Sequence, residues 1–322
     1  MSRVFGIDIS YWQTDYAPSP SRWFNPEIAK EKGVQFAFLR VSDGAFKDTA
    51  FDRFAETFNK AGIPVGFYHF LRPHSWVSYI TQADKFLERI KPHKFQLPPV
   101  LDVEASGLGL DIVRQWCGRV SSKLGVKPII YTAPNPWNTY TGVANATWVL
   151  EYDYWVANYM KLSSPVYGIP DSVANSVNFP TPLLPWSKHD NPWTFWQYTA
   201  SGNGEHYGGD YDPRYVEKVG LDLNCFNGDL ESFNKKFNLT ATPPTEPEEP
   251  PIPPTDEKQY VKTNVYLRGR TTPQYIAGQS ALVYPPNEKL EVADMPKVYE
   301  PASGITWQPI IMYVSDKYIT EV

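Results

Sequence analysis

Cysteine is almost missing from this chain. Only Cys117 and Cys225 occur among 322 residues, too few and too far apart for a disulfide framework or a thiolate metal cluster. Both sit in apolar surroundings and read as small buried hydrophobes. Metal and phosphate signatures are missing too: there is no H-E-x-x-H spacing, no glycine-rich phosphate loop and no G-x-S-x-G elbow. Neither a metal nor a cofactor is expected. Clusters of Lys and Arg are lacking, and the net charge is −5. That excludes the electropositive patch on which a nucleic-acid partner depends. No apolar run reaches the roughly 18 residues of a membrane span, so no membrane insertion is expected. Met1 leads straight into the strand-like Val4-Phe5-Gly6-Ile7-Asp8, without the charged and apolar segments of a secretory signal. Synthesis in the cytoplasm is the corresponding expectation.

Aromatic side chains, by contrast, are plentiful: 15% of residues, with 11 Trp and 21 Tyr. They supply a large core and leave rings over for a binding groove. Strand patterns at 5–9, 35–41, 64–70, 98–106 and 127–132 alternate with helical periodicity at 25–32, 50–60, 76–90 and 111–124. Gly33, Gly62 and Gly125 stand where helices should stop. Such alternation implies a parallel sheet. Three further strands, at 154–159, 194–198 and 221–226, are separated by loop-like sequence, and a short helix at 229–237 follows. The expectation is an α/β fold, an irregular TIM-like (β/α)5(β)3 barrel occupying residues 1–239. Residues 240–258 are a proline-rich linker with five acidic residues between Glu246 and Glu257, a composition that gives an extended spacer. Residues 259–322 hold short β-type runs at 260–261, 264–267, 281–284, 310–314 and 318–320, with six basic and six acidic residues. A small neutral β-barrel fits them.

Chemistry concentrates in Pro98-Pro99-Val100-Leu101-Asp102-Val103-Glu104-Ala105-Ser106. Strand side chains repeat every two residues, so Asp102 and Glu104 share a side, with Cα atoms roughly 6.6 Å apart. Two acids that close repel, and burial raises the pKa of one of them. A proton donor beside an ionised neighbour is what acetal cleavage requires; the bland alternative is two solvated residues at a strand end. In a parallel barrel, functional residues collect at the C-terminal ends of the strands. Those ends present Asp8, Tyr68 with His69, Asp102 with Glu104, Tyr131, Gln197 with Tyr198, and Asp222 with Asn224. Singly each has a dull explanation: Asp8 as a turn cap, Asp222 on backbone amides, His69 as a satisfied core histidine. Four converging carboxylates are costly for a merely structural rim.

These pieces carry a resemblance. Gly6-Ile7-Asp8-Ile9-Ser10 with Trp12-Gln13, Gly66-Phe67-Tyr68-His69-Phe70 and Pro99-Val100-Leu101-Asp102-Val103-Glu104 are followed by Ile130-Tyr131-Thr132, Trp196-Gln197-Tyr198 and Asp222-Leu223-Asn224-Cys225-Phe226-Asn227-Gly228. In content and order the chain resembles the glycoside hydrolase family 25 muramidases, the Chalaropsis-type lysozymes common among phage endolysins. The resemblance implies hydrolysis of the β-1,4 bond from N-acetylmuramic acid to N-acetylglucosamine, with bacterial peptidoglycan as the partner. It implies Glu104 as general acid and Asp102 as the support of the substrate's 2-acetamido group, with Asp8 and Asp222 completing the cleft. A water-mediated inverting route is left open. Tyr68, Tyr131, Trp196, Gln197, Tyr198 and Asn224 are the candidate substrate contacts, core packing being the alternative for the aromatics. The 259–322 segment loosely resembles SH3-like wall-binding modules through Asn264-Val265-Tyr266-Leu267-Arg268, Trp307 and 313–319. Action on the wall then requires holin-type release. Oligomeric state is left open by the sequence, with a monomer the default. A non-catalytic glycan binder and a hydrolase of another amino-sugar polymer such as chitin are the competing readings.

Overall fold

The computed structural model describes residues 3–14, 22–73, 77–190, 192–210 and 220–239, together with the backbone of seven short strands between 260 and 311. Backbone contacts divide the chain into two units, Met1–Ala241 and Thr242–Val322.

In the first unit, eight strands close into a barrel. They are β1 (Val4–Ile9), β2 (Phe36–Asp43), β4 (Val65–Phe70), β5 (Val100–Asp102), β6 (Ile129–Thr132), β7 (Tyr154–Ala157), β8 (Phe195–Asn203) and β9 (Gly220–Phe226), with a two-residue β3 (Phe46–Lys47) hairpinned onto β2. Neighbours from β1 through β2, β4, β5, β6 and β7 to β8 run parallel. The last strand differs: β9 is antiparallel to both β8 and β1.

Four crossovers carry a regular helix: α1 (Pro26–Glu31), α2 (Phe51–Ala61), α3 (Tyr79–Ile90) and α4 (Leu110–Leu124). Their ends follow from local chemistry. The Asn25 side chain accepts from the Glu27 N–H ahead of α1, and Ser78 from the Thr81 N–H ahead of α3. Gly62 and Gly125 end α2 and α4 at φ 70° and 68°, a left-handed conformation that costs glycine least. The expected fifth βα unit is not built that way. Between β6 and β7 the chain uses the single turn Pro134–Trp137 and two 3₁₀ turns, because prolines and short polar residues there break any helical period.

Period two sorts the core into two layers. Ala37, Leu39 and Val41 of β2 face outward and pack with Phe51, Phe54 and Phe58 of α2. Phe36 and Phe38 face the lumen, where they meet Phe195 and Trp155 at ring-centroid distances of 5.0 and 4.5 Å. Room for these rings comes from glycine: a Cβ on Gly6 would lie 2.4 Å from the Phe36 ring, and one on Gly66 2.4 Å from the Phe38 ring. The lumen is thus sealed below by aromatics, the packing typical of a barrel of this size.

In the second unit, Tyr260–Lys262, Lys289–Val292 and Ile310–Ile311 form a three-stranded antiparallel sheet. Leu267–Gly269 pairs with Leu282–Tyr284, and Val298–Glu300 with Ile305–Trp307. The linker at 240–258 lies outside the described residues, as do 264–266, 281, 312–314 and 318–320 of the expected β-type runs.

Candidate active site

The alternation that fills the lumen also builds the site above it. On β1, Val4 and Gly6 face inward, so Asp8 does too. On β2 the sequence Phe36, Phe38 continues to Arg40. On β5, Val100 leads to Asp102, and Glu104 takes the next inward position beyond the strand. These residues, with Tyr68, Tyr131, Tyr159, Gln197 and Asp222, line a cleft of about 370 Å³ at the barrel mouth.

Asp222 reaches the cleft by a different route from the one expected. It does not sit at the C-terminal end of its strand; because β9 is antiparallel, the mouth receives the strand's N-terminal half, and Asp222 pairs directly with Asp8. Asn224, two residues deeper, is fully buried and reaches Asp8 from below.

The hydrogen bonds converge on Asp8. Its Oδ2 accepts from Gln197 Nε2 and from Asn224 Nδ2, both at 2.8 Å. Gln197 Oε1 accepts from the hydroxyls of Tyr131 at 2.9 Å and Tyr159 at 2.8 Å. Asn224 Oδ1 accepts from the Trp155 indole N–H at 2.9 Å. Arg40 is buried beside the carboxyls, its Nε donating at 2.8 Å to Asp48, which is tied in turn to the N–H groups of Tyr11 and Ala50.

All four carboxyls resist ionisation, for related reasons. Burial pushes Asp8 up from 3.8 to about 6, against the pull of Asn224, Gln197 and Arg40. Asp102 is raised well above the usual range by burial, then by Glu104 and Asp8; its Oδ1 is shut off from solvent and accepts from no described residue. Asp222 is raised well by burial, Asp8 and Glu104. Glu104 is raised by burial and by Asp8, while Asp102 pulls the other way. Its side chain is exposed at the open face of the cleft, so water screens it most. The cleft therefore pairs a solvent-reaching acid with a buried one two residues earlier, the environment split that separates acid from partner roles.

Two candidate contacts are elsewhere. Trp196 and Tyr198 are fully buried on the outer face of β8, in the helix-side core. Trp196 donates to the Asn158 carbonyl at 2.8 Å and Tyr198 to that of Gly168 at 2.5 Å. Gln197 faces the cleft, and alternation sends both neighbours the other way. Neither is a sugar platform. His69 is likewise an outer, buried residue: Nε2 donates to Gln82 Oε1 at 3.1 Å, Nδ1 accepts from Ser42 at 2.8 Å, and burial lowers it to about 4. Among the described residues no group of His, Cys, Asp and Glu has the arrangement of a metal site.

The sequence profile of the glycosyl hydrolases family 25 matches residues 7–206. The chain belongs to glycosyl hydrolase family 25. It is 31% identical over 258 residues to lysozyme M1 of Streptomyces globisporus, covering 74% of this chain and 73% of that protein. An autolytic lysozyme of Clostridium acetobutylicum is 28% identical over 184 residues, covering 54% and 52%. The crystal structure of a bacterial lysozyme from Streptomyces coelicolor superposes with a TM-score of 0.52 at 30% identity, covering 75% of this chain and all of the other. Within this family 25 barrel, the residues overlooked in the sequence are Arg40, Trp155 and Tyr159. Arg40 was reachable: it continues the inward parity of Phe36 and Phe38.

Proposed function

We propose that the protein is an N-acetylmuramidase that cleaves the β-1,4 bond between N-acetylmuramic acid and N-acetylglucosamine in peptidoglycan. The observation that carries this reading is the Asp102–Glu104 pair, one acid buried and the other open to the cleft, inside a family 25 barrel. In the free protein burial and the neighbouring carboxyls favour the protonated form of Asp102. An N–H donated by the substrate's 2-acetamido group favours the carboxylate form of Asp102. The proton then resides on Glu104, whose acid form faces the glycosidic oxygen.

Glu104 protonates that oxygen as the bond from C1 breaks, and the acetamido carbonyl oxygen bonds to C1, the positive charge held against the Asp102 carboxylate. Water adds at C1, the ring opens to restore the acetamide, and Glu104 takes the proton from the water. Asp8 supplies negative potential around the developing cation, and Asp222 lines the cleft beside it. Tyr68, Tyr131 and Gln197 meet the sugar from the cleft wall, and Asn224 acts through Asp8.

The physiological reading is of a phage-type wall-lytic enzyme, released by a holin, whose residues 259–322 form an SH3-like wall-binding domain. Support comes from the muramidase chemistry of the cleft and from the short antiparallel β pairs of the second unit. Digestion of purified walls with analysis of the new reducing ends is the test. Muramic acid ends support the reading, and N-acetylglucosamine ends refute it. Proton NMR of the first-formed anomer separates the routes, β for acetamido participation and α for direct inversion.

A further inference from the structure

The two amides that hold Asp8 are not equivalent. Asn224 accepts on Oδ1 from an indole, a group that only donates. A flipped Asn224 would set its NH₂ against the Trp155 N–H and its carbonyl oxygen against the Asp8 carboxylate, two repulsions at once. Gln197 is held on its other side by two tyrosine hydroxyls, which both donate and accept, so those partners do not fix its orientation and only its bond to Asp8 does. The Asn224 arm is the one whose N–H is aimed by a donor-only partner independent of Asp8. Trp155 itself is immobilised: it is buried, stacked on Phe38 at 4.5 Å and edge-on to Tyr131 at 4.4 Å.

We infer that Trp155 is a positioning residue whose indole N–H fixes the Asn224 amide and, through it, orients Asp8 and favours its carboxylate form. Asp8 needs such help. Around it stand Asp102 and Glu104 from the β5 end, Asp222 from β9, and the hydroxyls of Tyr68, Tyr131 and Tyr159 from β4, β6 and the end of β7. Arg40 of β2 is the cation that faces it. Arg40 already serves Asp48, so the directed N–H groups carry much of the stabilisation of the Asp8 anion.

Two measurements on the full-length protein test this. In the wild type, the Trp155 indole N–H resonance is followed by nitrogen-15 NMR against pH. It should move with the titration of the Asp8 carboxyl, which burial raises to about 6, because Asp8 polarises the amide between them; an indole signal that does not follow the Asp8 carboxyl overturns the inference. In Trp155→Phe the indole N–H is lost. The Asp8 carboxyl, observed by carbon-13 NMR and assigned by its disappearance in Asp8→Asn, should titrate about one pH unit higher. The acid limb of wall lysis should move the same way. An unmoved Asp8 midpoint in folded Trp155→Phe refutes the role. The NMR readings do not depend on the muramidase reading, on which the lysis profile alone rests, so the two fail separately.

Discussion

Asp8→Asn separates what the site does from what the fold tolerates. Folded Asp8 titrates at about 6 and its ordinary value is 3.8, so between those pH values the folded state binds more protons than the unfolded chain. Asp8's contribution is therefore intact below about pH 3.8 and is lost as pH rises through 6. A shift of about two units corresponds to about 3 kcal/mol of destabilisation at neutral pH. Asparagine removes that charge and keeps the geometry. Its carbonyl oxygen, placed where Oδ2 lies, accepts from both Gln197 and Asn224. Arg40 retains Asp48. The variant should be more stable than wild type by about 3 kcal/mol at pH 7.5, a rise in Tm of about 9 °C for a barrel of this size. At pH 4 the gain should nearly vanish. Urea unfolding of both proteins at the two pH values reads this directly, and wall lysis should fall in the same variant. A gain that is independent of pH, or a loss of stability at pH 7.5, would refute the reasoning.

Other perturbations probe other parts. Glu104→Gln removes the proton and keeps the shape, so wall clearance should drop about 100- to 10,000-fold with an unchanged melting curve; clearance at the wild-type rate removes Glu104 from the acid role. Gly66→Ala places a methyl against the Phe38 ring in a sealed lumen and should cost about 1–3 kcal/mol in chemical denaturation. A neutral outcome would mean that the lumen yields more than its packing implies. Removing residues 240–322 should weaken sedimentation with purified walls while leaving turnover of soluble muramyl oligosaccharides within about two-fold. Unchanged sedimentation would rule out the wall-binding role.

Much of the barrel could be read from residues whose parity was unambiguous. Val100, Asp102 and Glu104 kept the inward side, and the run of α2 bearing Phe51, Phe54 and Phe58 fell within one residue of its expected ends. The errors came from applying strand ends without strand direction or parity. Trp196-Gln197-Tyr198 cannot all face one cleft, since consecutive residues alternate; the buried glutamine marked the inner face. Asp222 lay at the mouth because β9 runs backwards, and nothing local in its sequence distinguishes an antiparallel closing strand from a parallel one. Trp155 was beyond reach altogether. Its link to Asp8 runs through Asn224, 69 positions away along the chain, and exists only once the barrel has closed.

The aromatic floor beneath the cleft has a consequence for traffic. With Phe36, Phe38, Phe195 and Trp155 filling the lumen, the doorway that the described residues leave to the carboxyls is the barrel mouth. A glycan strand lying across that doorway becomes its own lid, trapping the carboxyls in a drier compartment where their charges act more strongly. Short oligosaccharides that leave the doorway ajar forgo this effect. Their turnover should then lag behind that of long strands by more than their weaker binding accounts for.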